Sequence, residues 1–215
     1  MSSFTVPTPA GESRVSVHPA AEPAAVLLLG HGAGGGIDAF DLVSLAADLP
    51  GRGVTVALHE QPWKVAGKRM TTPPATLDQG WLPVLDAVLA RHPGLPLWVG
   101  GRSAGARVAC RCFEARQAGV VCLAFPLHPP GRSERSRIAE LAGVTGPVLV
   151  IQGESDPFGS PDDVRAAALE AGGARPLVVA VPGAHSFGPR TKAARAGAAE
   201  LRRTIVDAVA GFVLG

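Results

Sequence analysis

Short apolar runs alternate with longer amphipathic stretches along most of this chain, and that alternation constrains the fold more than any other feature. Seven runs have the length and composition of β-strands, at 14–18, 25–29, 54–58, 95–99, 120–125, 147–152 and 176–181. Most are continuously apolar, as strands buried on both faces must be. The sequence therefore predicts an α/β fold, with a mostly parallel twisted sheet of about seven strands and helices on both faces.

Five stretches between or after these runs are predicted to be helical, at 39–49, 81–91, 104–117, 161–171 and 192–213. The last has the clearest periodicity, since apolar residues recur at helical spacing: Leu201, Ile205, Ala208, Val209 and Phe212. We expect this stripe to pack on the sheet. No repeat and no Gly/Ser-rich linker divides the 215 residues, so we expect one domain over 1–215.

Composition and charge narrow the classes of partner. A formal net charge of +2, with dispersed basic residues, argues against a nucleic-acid partner. Residues 1–20 lack the pattern of a signal peptide, and no apolar run approaches the ~20 residues that cross a bilayer. We expect a cytoplasmic protein with no membrane partner. Cys110, Cys112 and Cys122 have no metal-like spacing and are predicted to be buried thiols. A metal site from His31, His128 and Asp156 has no ligand spacing behind it, and we expect no metal and no other cofactor. The oligomeric state stays open.

The segment Gly101-Arg102-Ser103-Ala104-Gly105 follows one predicted strand and precedes a predicted helix. Small residues beside the serine permit the strained strand-to-helix turn known as a nucleophile elbow. The motif alone is weak, because a chain with 27 glycines in 215 residues would contain roughly 0.2 such matches by chance. Its setting favours Ser103 as a catalytic nucleophile. The alternative is a helix N-cap serine in a glycine-rich connection.

A nucleophilic serine needs an imidazole to take its proton and a group that orients the imidazole. His185 lies in a loop after the last predicted strand, and Asp156 follows the strand before it. Ser160 and Asp163 already account for the cap of the next helix, which leaves Asp156 without a capping role. We predict that His185 is the base and Asp156 the orienting acid, with Glu154 in reserve. A surface histidine and a turn aspartate are the non-catalytic alternatives.

The glycine-rich loop 30–36, after the second predicted strand, allows close approach of the main chain to a substrate. Acyl transfer needs backbone N–H donors for the oxyanion, one of which follows the nucleophile. We therefore predict an oxyanion hole from Ala33 and Ala104. His31 is expected to brace the loop by hydrogen bonding.

The ordered set of loop 30–36, elbow 101–105, Asp156 and His185 resembles the α/β-hydrolase superfamily. It resembles in particular the small bacterial hydrolases akin to dienelactone hydrolase, which have relatives among animal testis-expressed proteins, and the run 125–131 is similar to a segment of that branch. The resemblance covers nearly the whole chain from the second predicted strand onward.

This resemblance implies a serine hydrolase, such as a carboxylesterase, with Ser103 as nucleophile, Asp156 as acid and His185 as base. One departure is that the residue before His185 is Ala184, where the branch often has aspartate. Many members of the superfamily insert a helical cap in the interval that corresponds to 128–146. Here that interval has room for a loop and one short helix, so no large cap domain is expected and the site should be open.

Three residues are candidates for lining that site: Arg102, His128 and Trp63. Trp63 lies in the segment 61–76, which also carries basic residues, Lys64, Lys68 and Arg69, together with Met70. Since ligands of open α/β sheets bind beyond the carboxyl ends of strands, this segment is placed to supply an aromatic wall and a cation. A small acyl substrate that carries a carboxylate is one hypothesis, and solvated surface cations are the alternative.

Two other functions fit parts of the sequence. The run 30–35 also matches the glycine pattern of dinucleotide-binding loops, with Glu60 placed after the next strand where a ribose-binding acid is expected. That function leaves Ser103, Asp156 and His185 unexplained. A catalytically inactive hydrolase fold used for protein interaction is the second alternative, since fold does not guarantee activity.

Overall fold

An eight-stranded sheet organises the computed structural model, which describes residues 1–69, 71–188 and 196–215. The strands are β1 (Ser2–Thr8), β2 (Gly11–His18), β3 (Ala25–Gly30), β4 (Val54–Glu60), β5 (Leu97–Arg102), β6 (Gly119–Leu123), β7 (Val148–Gly153) and β8 (Leu177–Val181). Their spatial order is β1-β2-β4-β3-β5-β6-β7-β8. β1 pairs with β2, and β2 with β4, in antiparallel fashion, whereas every pairing from β4 to β8 is parallel.

Burial on both faces explains why the central strands read as continuous apolar runs. Every residue of β3, β6 and β7 is buried. The strand β1, by contrast, is absent from the sequence prediction of about seven strands, and it lies at the sheet edge. Only Val6 of this strand is buried, and Pro7 removes one ladder donor, which an edge strand tolerates. The apolar signal of a covered strand is therefore missing there.

Helices cover both faces of the sheet, which confirms the predicted α/β class. They are α1 (Phe40–Asp48), α2 (Pro62–Val65), α3 (Pro74–Arg91), α4 (Ala104–Arg111), α5 (Ile138–Ala142), α6 (Pro161–Ala171) and α7 (Ala198–Leu214). α1 and α7 contribute to the core on one face, and α3 to α6 to the core on the other. No helix in the described parts of the chain is both long and apolar enough to span a membrane.

The C-terminal helix closes one face of the sheet through its predicted apolar stripe. Ile205 and Val209 are fully buried, and the ring of Phe212 lies 5.1 Å from that of Trp98 on β5. The predicted start of this helix, at residues 192–195, lies outside the described residues. Between β6 and β7, where every residue is described, the only helix is α5, of five residues, so the expected absence of a large cap domain is confirmed.

Two helix boundaries differ from the sequence prediction. α3 begins at Pro74 rather than at residue 81 and continues through Pro83. The missed turns, 74–80, contain a single large apolar residue, Leu77, so they show no apolar stripe. α4 ends at Arg111 rather than at residue 117. After it, the buried Gln117 side chain accepts a hydrogen bond from the Glu114 N–H and forms a turn that leads directly into β6.

Candidate active site

Ser103 lies on the sharp turn between β5 and α4, in a backbone conformation that side chains rarely adopt. Its φ is 52° and its ψ is −109°, and its N–H donates to the Leu123 carbonyl oxygen at 2.9 Å. Such a conformation costs of order 1–3 kcal/mol and persists only where its surroundings enforce it. Part of that enforcement comes from glycine, since a Cβ on Gly101 or Gly105 would approach the Gly30 carbonyl oxygen to 2.4 Å. The motif glycines thus let the turn pack directly on β3.

The structure brings Ser103, His185 and Asp156 into one hydrogen-bonded row. Ser103 Oγ lies 2.9 Å from His185 Nε2, and His185 Nδ1 lies 2.8 Å from Asp156 Oδ2. The three residues come from the ends of β5, β8 and β7, because the carboxyl ends of parallel strands meet at one edge of the sheet. With Nδ1 protonated and donating to the carboxylate, Nε2 is free to accept the serine proton.

Asp156 is a buried carboxylate whose two oxygens are both hydrogen-bonded. Oδ1 accepts from the Phe158 N–H at 2.8 Å, and Oδ2 accepts from His185 and from Gln152 Nε2, the latter at 3.0 Å. Its side chain is fully shielded from solvent, so these bonds replace the lost hydration of the charge. Glu154, the reserve candidate, is exposed to solvent. The geometry therefore supports Asp156 alone as the partner of His185.

Arg102, next to the nucleophile, connects three parts of the site. Its guanidinium donates to Asp41 Oδ2 at 3.0 Å and to the His185 carbonyl oxygen at 2.7 Å. Asp41 lies in the first turn of α1 and is fully buried. Only 12% of the Arg102 side chain is exposed, and the ion pair with Asp41 already matches its charge inside the protein. It lines the cavity described below, yet its main contacts hold the histidine loop against α1.

The glycine-rich loop passes beside Ser103 and is braced by His31. A Cβ placed on Gly32 would lie 3.5 Å from Ser103 Cβ, so the loop runs directly along the nucleophile. His31 Nδ1 is 2.8 Å from the Gly32 carbonyl oxygen, and its Nε2 accepts from the Gln61 N–H at 3.1 Å. Burial lowers the pKa of His31, which favours the neutral tautomer that these two bonds require.

Ser103 opens into a partly open cavity of about 630 Å³. This volume lies within the ~300–1,000 Å³ typical of small-molecule sites. Ala33 and Ala104, the two predicted oxyanion donors, both line it. As the first residue of α4, Ala104 has an N–H with no acceptor inside the helix. On the other side, Phe158 packs against the imidazole, with ring centroids 4.2 Å apart.

Two other predicted lining residues lie away from this cavity. Trp63 is buried and borders a separate groove beside the glycine-rich loop, together with Lys64. His128 is half-buried, with Nδ1 3.0 Å from the Pro129 carbonyl oxygen, and it does not line the cavity. Met70, from the same segment as Trp63, lies outside the described residues.

The cavity contains two arginines that the sequence did not single out. Arg107 forms a bidentate ion pair with Glu140, with bonds of 2.7 and 2.6 Å. Arg137 donates only to the Pro126 carbonyl oxygen, at 3.3 Å, and forms no ion pair within the described residues. Burial, followed by the nearby Arg107 charge, lowers the pKa of Arg137. An anion in the cavity would therefore find its unmatched positive charge at Arg137.

Fold and site geometry together define an α/β-hydrolase: a mostly parallel sheet, a serine on the elbow after a central strand, and acid and histidine after later strands. The chain belongs to this family, since the family model described as an alpha/beta hydrolase domain matches residues 23–214. Family and fold support hydrolase activity. Among curated proteins, none matches the sequence.

Solved structures with the same fold cover almost the whole chain at low sequence identity. An alpha-beta serine hydrolase homologue from Coxiella burnetii is 19% identical with a TM-score of 0.76, and 96% of each chain is covered. A serine hydrolase without a lid from Xanthomonas campestris is 22% identical with a TM-score of 0.73, covering 100% of this chain and 95% of that one. A thermostable carboxyl esterase from Bacillus coagulans is 13% identical with a TM-score of 0.75, covering 99% of both.

Proposed function

We propose that this protein is a serine hydrolase that cleaves a small carboxylic ester or a related acyl substrate through an acyl-enzyme. The observation that carries the proposal is the row from Ser103 through His185 to Asp156, with distances of 2.9 and 2.8 Å, at the edge of a cavity. With Nδ1 of His185 protonated, each atom in that row takes the donor or acceptor role that nucleophilic catalysis requires.

In the acylation step, Ser103 Oγ attacks the carbonyl carbon of the substrate while its proton passes to His185 Nε2. Asp156 orients the imidazole and stabilises the imidazolium that forms. The N–H groups of Ala33 and Ala104 hold the oxyanion of the tetrahedral intermediate. When that intermediate collapses, the carbonyl re-forms, the bond to the leaving group breaks, and His185 returns the proton to the departing alcohol.

Water completes the cycle by the same two steps, attack and collapse, with water as the nucleophile and Ser103 as the leaving group. His185 takes a proton from water, and the resulting hydroxide attacks the acyl carbon of the Ser103 ester. Collapse of the second tetrahedral intermediate releases the carboxylic acid and returns the proton to Ser103 Oγ. These steps regenerate the free enzyme, and the net reaction is hydrolysis of one acyl bond.

The cavity favours a small substrate, and its charges suggest where an acidic group would bind. Arg102 and Arg107 already have carboxylate partners, in Asp41 and Glu140. A carboxylate on the substrate would therefore pair with Arg137 rather than with Arg102 as the motif suggested. Since the chain resembles the dienelactone-hydrolase branch, a lactone is one form that such a substrate can take.

The decisive experiment is labelling of the folded protein with a fluorophosphonate, which reacts with activated serines. We expect wild-type protein to be labelled and Ser103→Ala to remain unlabelled, with a far-UV spectrum that matches wild type. A panel of chromogenic esters of graded chain length, with a lactone and matched neutral and anionic esters, then defines the substrate. The proposal fails if wild type is not labelled, or if labelling persists in Ser103→Ala.

The two alternatives predict different results in the same experiments. A catalytically inactive interaction protein would give neither labelling nor turnover. A dinucleotide-binding protein would show a higher Tm with NAD or NADP. Glu60, its expected ribose-binding residue, instead lies 3.5 Å from Arg14 across the β2–β4 pair. A cytoplasmic location is part of the proposal and is tested by fractionating cells that produce the tagged protein.

A further inference from the structure

A second depression adjoins the catalytic cavity on the far side of the glycine-rich loop. This groove, of about 290 Å³, has Ala33, Gly34 and Gly35 as one wall, and the same three residues also line the catalytic cavity. The opposite wall is the segment 63–69, which includes α2. A substrate held at Ser103 therefore needs to pass only one loop, the proposed oxyanion loop, to reach the groove.

The chemistry of the groove is cationic. Three basic side chains line it, Lys64, Lys68 and Arg69. None of them forms an ion pair within residues 1–69, 71–188 and 196–215, and the remaining eight residues of the chain contain no Asp or Glu. Of the three arginines that line the catalytic cavity, by contrast, Arg102 and Arg107 are paired with carboxylates. The groove thus concentrates positive charge that the protein itself does not neutralise.

One carboxylate lies close to this cluster without neutralising it. Asp38 and Lys64 both lie beside Gly36: a Cβ built on Gly36 would be 2.9 Å from Asp38 Oδ1 and 3.7 Å from Lys64 Nζ. The Asp38 carboxylate and the Lys64 ammonium nevertheless form no ion pair. Asp38 belongs to the wall of the catalytic cavity and not of the groove. The negative charge of Asp38 therefore opposes binding of an anion at Lys64. Removing this charge should strengthen anion binding, which is the opposite of the effect of removing a cation.

We propose that this groove is a subsite for a phosphate group carried by the substrate, so that the hydrolase acts on phosphorylated acyl esters or thioesters. Three cations beside a glycine-rich main chain match a phosphate dianion better than a single carboxylate, since phosphate offers more charge and more acceptor oxygens. The inference rests on the proposed function, because it assigns the groove to the substrate that Ser103 attacks.

The test compares matched esters that differ only in one group, a neutral hydroxyl or a phosphate monoester. The phosphate is placed on the acyl chain in one pair and on the alcohol in the other. We expect wild type to show the higher kcat/KM for the phosphorylated ester of at least one pair. In Lys68→Ala/Arg69→Ala this preference should fall by about fivefold to tenfold, with hydrolysis of the neutral ester unchanged.

Two further variants separate a specific subsite from a general effect of charge. Arg175→Ala/Arg203→Ala removes the same charge from exposed positions before β8 and on α7, and should leave the preference intact. Asp38→Asn should raise the preference, because it removes the negative charge beside Lys64. Raising the salt concentration from about 0.05 M to about 0.5 M should weaken the preference in wild type, since exposed charges are screened.

A binding measurement keeps the subsite separate from the catalytic proposal. Calorimetric titration with pyrophosphate should show binding to wild type and to Ser103→Ala, and much weaker binding to Lys68→Ala/Arg69→Ala. If neutral esters are hydrolysed but neither phosphorylated ester is preferred, the subsite is refuted and the serine hydrolase stands. If free methyl phosphate accelerates hydrolysis of the neutral ester as much as the linked group does, the groove binds a regulator and the substrate assignment is overturned.

Discussion

In the described parts of the chain, two serine–histidine pairs have the same hydrogen-bond distance, one beside a cavity and one in the core. Ser103 Oγ to His185 Nε2 and Ser13 Oγ to His59 Nε2 are both 2.9 Å. Ser13, on β2, and His59, on the neighbouring strand β4, are both completely buried. A hydrogen bond between serine and histidine is therefore insufficient to mark a catalytic site, and the differences between the pairs indicate what else is needed.

The first difference is the direction of the proton. Ser13 has one hydroxyl hydrogen, and its Oγ also lies 3.3 Å from the Gly80 carbonyl oxygen, which can only accept. The arrangement that satisfies most groups has Ser13 donating to Gly80 and His59 Nε2–H donating to Ser13. His59 Nδ1 is then left without a partner, whereas His185 Nδ1 faces a carboxylate. In this arrangement the fully buried His59 donates to its serine, whereas the partly buried His185 is placed to accept from its serine.

The largest expected effect is the loss of kcat when Ser103, but not Ser13, is replaced with alanine. Ser103→Ala should lower kcat for a chromogenic ester by roughly 10⁵–10⁶-fold, because it removes the nucleophile. Ser13→Ala should leave kcat unchanged but lower the free energy of unfolding by about 1–3 kcal/mol, because it leaves His59 without a partner. Steady-state kinetics and urea unfolding measure the two effects. If Ser13→Ala folds and is inactive, the separation of the two pairs is wrong.

The second expected effect concerns the carboxylate, which only the Ser103 pair possesses. Asp156→Asn should lower kcat by about 10⁴-fold. An Asn amide that donates to His185 Nδ1 forces the imidazole proton onto Nε2, and a protonated Nε2 cannot accept the proton of Ser103. Asp163→Asn is the matched control, because that residue belongs to the capping box of α6. We expect the control to lose some stability and to keep its kcat. Comparable losses of kcat in both variants would contradict a special role for Asp156.

The third expected effect concerns how each histidine is held. His59 is part of a strand, whereas His185 lies in a loop, where its backbone carbonyl oxygen accepts a hydrogen bond from Arg102. Arg102→Gln should lower kcat for a neutral ester by about 10–100-fold with little change in KM, because misplacement of the imidazole affects the transition state more than binding.

Removal of Arg102 also leaves Asp41 buried and unpaired, so the variant is compared with Arg102→Gln/Asp41→Asn, which lacks the orphaned charge. Arg107→Ala serves as the control, since Arg107 lines the same cavity and pairs only with Glu140. The positioning role is rejected if the double variant regains full kcat, or if Arg107→Ala loses as much kcat as Arg102→Gln.

These comparisons also show which parts of the molecule the sequence could predict. Ser103, Asp156 and His185 were predicted from their places after three strands, and the carboxyl ends of parallel strands meet at one edge of the sheet, so the strand pattern is enough to bring them together. The contacts of Arg102 with Asp41 and of Gln152 with Asp156 had no comparable signal. The first joins residues 61 positions apart by side-chain geometry alone, and the second uses a strand residue that pattern analysis treats as core.

The core pair was missed for a related reason. Ser13 and His59 fall just outside the predicted strands at 14–18 and 54–58, and only the antiparallel register of β2 and β4 brings them together. The exposed edge strand β1 carried too little apolar pattern to be predicted. Local pattern thus predicts buried strands and the residues at their ends, whereas cross-strand polar pairs depend on register and require the structure.

The smallest expected effect is a pH dependence of stability that the core pair causes. Burial lowers the pKa of His59 to about 3, from a reference value of 6.5. Below pH 6.5 His59 binds a proton in the unfolded chain but not in the folded protein. The contribution of His59 to the free energy of unfolding is therefore fully present above that pH and is lost as the pH decreases. From pH 7 to pH 5 the loss should be about 2 kcal/mol, at a limiting slope near 1.4 kcal/mol per pH unit.

The variant His59→Gln cannot take up that proton and should remove this part of the slope. Urea unfolding between pH 7 and pH 5 is the appropriate measurement, because carboxylates with lowered pKa values, such as Asp48 and Asp163, lose their contribution only at lower pH. The buried His31, whose pKa is also lowered, leaves a residual slope in the variant. Equal slopes in wild type and His59→Gln would mean that water reaches the core pair, and its contrast with the Ser103 pair would then rest on the missing carboxylate alone.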